Sequence, residues 1–283
     1  MLMILLHVAV AALYALTAWT LWPDSMSPGT TGRVRGRPAA ASAAWLLPTA
    51  LLLHGWLAWQ GIATAEGLDL SFLNAMSVVG ALVAAVAWAS GLLRTLPAIG
   101  AIVLPVSAVA VLLPALLPAL FPSAFTNPHR FAYGSQSLAA AHVAVALVSY
   151  AIFLVAALQA LVLMGLEKRL HRRLPDPESA GLPPLLTLER FLFRVLAAGF
   201  LLLSLTLASG MLFTEQLFGK PLTLTHKSLF SVLGWLTFGA LLLGRWRYGW
   251  RGRVALRWII AGTVFIFLAY LGSKFVLEVL LGR

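Results

Sequence analysis

Six histidines are the residues of this chain whose chemistry stands out, because they sit in an otherwise apolar sequence. His226 opens a long apolar run in the stretch LTLTHKSLFSVLGW, and His142 lies near the start of another, AAAHVAVALVSY. Neutral imidazole is a common ligand of metal ions and of haem iron. An imidazole at the start of a membrane helix can equally be an interfacial anchor or a buried packing residue. The position of each histidine in the fold is therefore needed to distinguish a ligand from these two roles.

The composition predicts an integral membrane protein. Of the 283 residues, 61% are hydrophobic and only 10% are charged, whereas soluble domains carry about a quarter charged residues. Continuous apolar runs indicate helices rather than the alternating strands of a membrane barrel. The sequence has no cysteine, which excludes disulfides and a thioether link between this chain and haem.

Eight apolar segments, each near the ~20 residues needed to cross a bilayer, predict an all-α fold. It is one polytopic transmembrane helical bundle over residues 1–283. The predicted helices are 3–22, 41–60, 70–90, 97–120, 138–166, 190–213, 227–244 and 254–281, with a cytoplasmic linker at 167–189. The fourth segment contains Pro97, Pro105, Pro114 and Pro118, so we expect it to be kinked or partly re-entrant.

The positions of the basic residues predict the orientation. The formal net charge is +11, and most Lys and Arg residues lie in alternate short loops, such as 23–40, 167–194 and 245–257. The positive-inside rule then places both termini on the outer, periplasmic side of the membrane. Because the charge is confined to these loops, the pattern favours membrane orientation over nucleic-acid binding, even in the stretch GRWRYGWRGR.

With this orientation five of the six histidines lie at the outer face, and only His171 is cytoplasmic. The five are His7, His54, His129, His142 and His226. The last two each lie near a helix N-terminus, where the helix dipole favours the neutral, ligating imidazole. Two helices packed about 8–10 Å apart could direct both rings at one iron. No carboxylate-rich motif accompanies these histidines, so the pattern does not favour catalytic metal chemistry.

The last predicted helix carries a lysine and a glutamate. Lys274 and Glu278 are i, i+4 neighbours, which places them on one helix face. Charged groups within lipid need a partner. We expect either a structural ion pair or a site where Lys274 meets an anion in an outer cavity. The same pair could line the pathway of a small-solute transporter.

Four stretches of the C-terminal half resemble the membrane family of cytochrome c assembly proteins. They are AAHVAVALVSYAIFLVAALQALVL, LPPLLTLERFLFRVLAAGFLLLSLTLASG, THKSLFSVLGWLTFGALLLGRWRYGWRGRVALRW and LAYLGSKFVLE. The resemblance is to the CcsA/CcmC/HemX-like group, and most closely to its small YpjD-type branch. It implies an eight-helix bundle that handles haem at the periplasmic face, with His142 and His226 as axial ligands and His129 as a third candidate.

The loop before the fifth predicted helix departs from that family. Members that deliver haem to apocytochromes carry a Trp-rich segment with an Asp, whereas loop 121–137 of this chain has neither residue type. The departure favours haem binding or an accessory role over attachment of haem to an apocytochrome.

These observations lead to one main hypothesis. The chain is expected to be a haem-binding inner-membrane protein involved in cytochrome c assembly or haem handling at the periplasmic face. It would hold haem b without a covalent bond, with the iron bound by His142 and His226. Secondary candidates for the site are Lys274, Lys227 and His54.

The partners expected from this hypothesis are haem, the lipid bilayer, and an apocytochrome or another membrane protein, but no nucleic acid. The function would be haem handling rather than turnover chemistry. Two alternatives remain open. One is a structural or regulatory membrane subunit that binds no haem and partners another membrane protein. The other is a small-solute transporter.

Overall fold

The protein is almost entirely helical in the computed structural model, which describes residues 2–26, 38–64, 67–121, 137–171, 185–212, 226–273 and 275–276. The helices are α1 Leu2–Met26, α2 Pro38–Ile62, α3 Phe72–Ala89, α4 Leu92–Thr95, α5 Pro97–Leu120, α6 Ser137–His171, α7 Leu185–Leu212, α8 His226–Tyr248 and α9 Gly252–Phe267. A π-helical segment, Leu268–Gly272, continues α9. After α2, the two-residue strands β1 Ala63–Thr64 and β2 Gly67–Leu68 form a small antiparallel hairpin, with Ala63 opposite Leu68.

Seven of the described helices are long and apolar enough to cross a membrane: α1, α3, α5, α6, α7, α8, and α9 with its extension. This confirms the all-α transmembrane fold, while the orientation of the termini stays a prediction. The second predicted segment also forms a helix, α2, but it is not among the seven. This helix carries His54 and Gln60 between its apolar residues, and these polar side chains lower its mean hydropathy.

The proline-rich fourth segment forms one helix, α5, of 24 residues. We expected a kinked or partly re-entrant segment, and the described residues show no break in the helix. Pro97 stands at its first turn, where the missing N–H has no helical partner to lose. The Ser107 hydroxyl donates to the Gly80 carbonyl oxygen of α3 at 2.9 Å. A Cβ on Gly80 would lie only 2.5 Å from the Cβ of Ala110, so the two helices pack at very short range.

The helices form two neighbouring groups. In the first, α1, α2, α3 and α5 pack on one another; in the second, α6 packs on α7 and α9, and α8 packs on α7 and α9. Contacts between α3 and α6 join the groups. The second group has an aromatic core, in which the Phe153 and Phe238 rings stack with centroids 3.8 Å apart.

The boundaries around the predicted linker differ from the prediction. Helix α6 continues to His171, and α7 begins at Leu185 rather than at 190. The residues LLTLE that open α7 combine apolar and polar positions, and hydropathy alone assigned them to the linker. The Gln159 side chain of α6 donates to the Leu188 carbonyl oxygen at 3.0 Å, so the first turn of α7 is held against α6.

A tight turn joins α8 to α9. Gly249 has a positive φ of 68°, and its N–H bonds to the Arg245 carbonyl oxygen at 3.1 Å, which is the pattern of a helix closed by a left-handed glycine. The Trp250 ring then folds back onto the α-carbon of Gly244, where an added Cβ would overlap the ring atoms. The turn therefore requires glycine at 244 because no side chain fits there.

We predict that Gly244→Ala lowers the thermal stability of the protein. The added methyl must displace the Trp250 ring, and overpacking of this kind costs about 1–3 kcal/mol. The midpoint of thermal unfolding in detergent measures the effect. Gly165→Ala is the matched control, because no atom lies within 4 Å of a Cβ at Gly165 in α6, and we expect that variant to be no less stable than the parent. Equal midpoints for Gly244→Ala and the parent would contradict this description of the turn.

Candidate functional site

The described histidines other than His171 lie toward one end of the bundle, called here the imidazole end. At this end α6 and α8 begin and α7 ends. Two contacts set the alignment of these helices. The Tyr150 side chain of α6 lies beside the Ser231 side chain of α8, and the Trp235 indole N–H of α8 donates to the Ser204 hydroxyl of α7 at 2.8 Å. The first group of helices shares this end, since Phe72 at the start of α3 meets Phe275, just beyond the π-helical segment, with ring centroids 5.5 Å apart.

His142 is held against the last turn of α7. Its ring nitrogen Nδ1 lies 2.8 Å from the Ser209 hydroxyl oxygen, and the residue is half-buried. A Cβ on Gly210 would lie 3.3 Å from the ring carbon Cε1, so the ring rests on the backbone of α7. The imidazole is therefore positioned by two consecutive residues of the neighbouring helix.

The partners of Ser209 favour one tautomer of His142. The Ser209 hydroxyl donates to the Thr206 carbonyl oxygen, one turn earlier in α7, at 3.0 Å. A hydroxyl has a single proton, so its oxygen acts as the acceptor toward His142, and the proton of that hydrogen bond belongs to Nδ1. In a neutral imidazole protonated at Nδ1, the lone pair lies on Nε2, which is the form that ligates a metal.

His226 is the first residue of α8 and is exposed, and Lys227 beside it is half-buried. Counting about 1.5 Å per residue from the two interhelical contacts places His226 within about one helical turn, ~6 Å, of the level of His142 along the bundle. The two imidazoles that the sequence singled out thus lie at the same end and at a similar level.

His54 has a different environment, in the first group of helices. Its side chain is fully buried, with Nδ1 at 3.1 Å from the Tyr14 hydroxyl and Nε2 at 3.1 Å from the Ser77 hydroxyl. Both ring nitrogens are engaged, so His54 links α1, α2 and α3 through hydrogen bonds. Of the sequence candidates it is the one whose ring could bind iron only by giving up two buried hydrogen bonds.

His7 lines an open pocket of about 210 Å³, and the other polar residues of the lining are Gln60, Asn74 and Ser77. The His7 nitrogen Nδ1 bonds the Met3 carbonyl oxygen at 2.8 Å within α1. His171 ends α6 at the opposite end of the bundle. Three further candidates, His129, Lys274 and its neighbour Glu278, lie outside the described residues.

Within the part of the chain that the structure describes, no group of three or more His, Cys, Asp or Glu residues could hold a metal ion. The small-residue face of α6 is also occupied by the protein's own helices. Ser149 donates to the Gly199 carbonyl oxygen of α7 at 3.1 Å, and Ala156 and Ala160 are buried. This face of α6 therefore leaves no room for a planar ligand.

Ser209 was not anticipated from the sequence. It belongs to the run LTLASG, in which two hydroxyl residues, Thr206 and Ser209, are three positions apart on one face of an apolar helix. Polar residues inside a membrane span mark interhelical hydrogen bonds or functional sites, so this spacing was the available signal. Its pairing with His142 required the rotation of α7, which the sequence does not provide.

Comparison with known proteins places the chain among membrane proteins of one family. A family model described as cytochrome C assembly protein matches residues 44–281. The chain is 38% identical over 141 residues to an uncharacterized 28.8 kDa protein of Azospirillum brasilense, which covers 50% of this chain and 52% of that protein. It is 34% identical over 140 residues to the inner membrane protein YpjD of Escherichia coli K12, covering 49% and 52%.

A more distant similarity is to the cytochrome c biogenesis protein CcsA of Prochlorococcus marinus, with 32% identity over 85 residues, covering 30% of this chain and 27% of that protein. The chain thus spans about half the length of the first two relatives it matches. Among solved structures, none matches the chain significantly. Because the family model covers most of the sequence, the chain belongs to the cytochrome c assembly protein family.

Proposed function

We propose that this chain is a multi-pass protein of the bacterial inner membrane that binds haem and acts in cytochrome c assembly or haem handling at the periplasmic face. Family membership supports the role in cytochrome c assembly. The relative named inner membrane protein YpjD supports the location. The observation that carries the haem site is the hydrogen bond from His142 Nδ1 to Ser209, at the end of the bundle where His226 begins α8.

The residues at the imidazole end fit the chemistry of haem. With Nδ1 as the donor to Ser209, a neutral His142 would carry its lone pair on Nε2, and Ser209 and Gly210 hold the ring against α7. When bound, haem would supply an iron that two neutral imidazoles can ligate. The sequence contains no cysteine, so we propose non-covalent haem b with His142 and His226 as its ligands.

The other candidates take secondary places in this proposal. His129 is proposed as an alternate or transient ligand, and Lys227 and Lys274 as cationic groups for the haem propionates. We leave His54 out of the ligand set because both of its ring nitrogens are hydrogen-bonded to Tyr14 and Ser77. The partner that delivers or receives haem would be an apocytochrome or another membrane protein.

The two proposed ligands differ in how firmly the protein holds them. His142 is half-buried and bonded across to α7, whereas His226 is exposed at the first position of α8. One firmly held imidazole and one exposed imidazole suit a haem that is first retained and then released. This difference favours haem handling over turnover chemistry.

We predict that His142→Ala and His226→Ala each abolish the spectrum of bis-histidine haem, because each removes one iron ligand. Optical spectra of the detergent-purified protein, oxidised and dithionite-reduced, check this after addition of haemin. His7→Ala is the matched control, since His7 lies at the same end but bonds within its own helix, and it should keep the spectrum. A parent protein that takes up no haemin would overturn the proposal.

We predict that Ser209→Ala weakens haem binding by about 10- to 100-fold, as is typical when the partner of a ligating histidine is lost. The variant keeps His142 but removes the acceptor that fixes its tautomer. Haemin titration measures the affinity, and thermal unfolding of the haem-free protein separates this role from a loss of stability.

Ser209→Thr should restore binding, because it keeps the hydroxyl group. Unchanged affinity in Ser209→Ala would contradict the positioning role. Reduced stability with unchanged affinity would instead indicate a purely structural hydrogen bond.

A further inference from the structure

The turn between α8 and α9 carries a dense group of exposed arginines at the end of the bundle opposite the imidazole end. Arg247 lies in the last turn of α8, Arg251 precedes α9, and Arg253 lies in its first turn. All three are exposed. None of them forms an ion pair with another described residue, the one ion pair there being Arg245 with Glu189. We call residues 245–253 the basic turn.

The backbone of the basic turn is fixed by contacts that do not use these three arginines. Gly249 and Gly252 have positive φ angles of 68° and 56°. The Trp250 ring packs on Gly244 and stacks on Trp258, with centroids 5.3 Å apart. The three arginines are therefore displayed from a preformed turn rather than from a flexible loop.

Arg245 fixes the turn from within and is not available to an outside partner. Its guanidinium lies 3.2 Å from the Glu189 carboxylate, 3.2 Å from the Trp250 carbonyl oxygen and 4.6 Å above the Phe193 ring. One arginine of the cluster is thus neutralised by α7, while its neighbours keep their positive charge facing outward.

Two aromatic residues indicate where the basic turn lies relative to the bilayer. Trp246 and Tyr248, which flank Arg247, are 81% and 74% exposed. Trp and Tyr favour the level of the lipid headgroups, where their apolar rings meet lipid and their polar atoms meet water. We therefore expect Arg247, which lies between them, to be at the level of the lipid phosphates.

The acidic groups near the turn do not cancel this charge. Glu189 is engaged by Arg245. Glu167 of α6 faces Gly252, where an added Cβ would lie 3.8 Å from its carboxylate. The neighbouring start of α7 adds two more exposed arginines, Arg190 and Arg194. The surface therefore keeps a net positive charge.

We propose that the basic turn binds the phosphate of an anionic phospholipid headgroup through Arg247, Arg251 and Arg253, in the leaflet where α8 ends. One guanidinium group can donate two parallel hydrogen bonds to phosphate oxygens. Clusters of basic residues at the ends of membrane helices also attract anionic lipids. The flanking aromatic rings favour a lipid over a soluble phosphate, because they provide apolar contact beside the headgroup. This site is independent of the imidazole end.

The test uses the full chain purified in a neutral detergent. Phosphatidylglycerol is titrated, and the shift of the unfolding midpoint and the number of lipids retained in native mass spectrometry are measured. Phosphatidylglycerol should raise the midpoint, and zwitterionic phosphatidylcholine should not. Equal stabilisation by inorganic phosphate or by a short oligonucleotide would overturn the proposal of a lipid site.

The variant Arg247→Gln/Arg251→Gln/Arg253→Gln should bind phosphatidylglycerol at least about tenfold more weakly, since each arginine near the surface adds to the attraction. The matched control is Arg33→Gln/Arg35→Gln/Arg37→Gln, which removes the same charge from another loop and should leave binding nearly unchanged. Equal losses in the two variants would mean general charge attraction and would overturn the site.

A second variant keeps the test decisive if the first does not fold. Replacing the same three arginines by lysine preserves the positive charge and the membrane orientation but removes the paired hydrogen bonds to phosphate. We expect a smaller loss of phosphatidylglycerol binding than in the glutamine variant, with the unfolding midpoint of the lipid-free protein unchanged. Full retention of affinity in the lysine variant would contradict recognition by guanidinium groups.

Discussion

Polar side chains inside a membrane span have no water to bond, so each must find a partner within the protein. In this chain many of those partners are on a neighbouring helix, and the bonds fix how the helices rotate and slide against one another. Three of the buried ones end on backbone carbonyl oxygens: Ser107 to Gly80, Ser149 to Gly199, and Gln159 to Leu188. Between apolar helices, where lipid and side chains are equally hydrophobic, these bonds supply specificity that apolar contact alone does not.

Two of those acceptors are glycines, and this links the hydrogen bonds to close packing. A Cβ on Gly199 would lie 3.0 Å from a side-chain atom of Ile152, and one on Gly80 would lie still closer to Ala110, at 2.5 Å. The missing side chain lets the partner helix come near enough for a short serine side chain to reach the carbonyl oxygen. Replacing either glycine would separate the helices and break the bond together with the packing.

The imidazole end follows the same rule with a different outcome. The Ser209 hydroxyl bonds its own helix through Thr206 and meets His142 across the helix interface. Since the acceptor is a hydroxyl whose proton is already engaged, the bond decides which nitrogen of His142 carries the proton. A carbonyl oxygen can only accept, so it would select the same tautomer. A hydroxyl whose proton had no other acceptor could either donate to the ring or accept from it, and would select neither tautomer. The chemistry of this histidine therefore depends on Thr206, a residue that it does not contact and that lies three positions before Ser209 in α7.

Hydropathy predicted much of this arrangement and missed a definite part. The apolar runs predicted the helices. Because successive spans cross in opposite directions, they also predicted that His142 and His226 lie at the same end. The same signal could not give the rotation of α7, because a helix that is apolar all round has no preferred face. For that reason the pairing of His142 with Ser209, and the two hydrogen bonds of His54, appeared only in the structure. Hydropathy also assigned the first turn of α7 to the linker, because Glu189 and Arg190 lower the mean hydropathy there. In the structure the Gln159 side chain holds that turn in place.

Imidazoles lie at one end of the bundle and guanidinium groups at the other. An imidazole can be neutral and a guanidinium cannot, and this difference explains where each type of side chain lies. A neutral imidazole can enter the first turns of a membrane helix without an ionic partner, so His142 can lie half-buried at its end. A guanidinium is always charged, so Arg247 and its neighbours remain exposed at the headgroup level, and the one that is partly covered, Arg245, is paired with Glu189. Under the two proposals, iron binding needs the neutral imidazole end and lipid binding needs the charged basic turn. Because each is built from local contacts at opposite ends, substitutions at one end should leave the other intact.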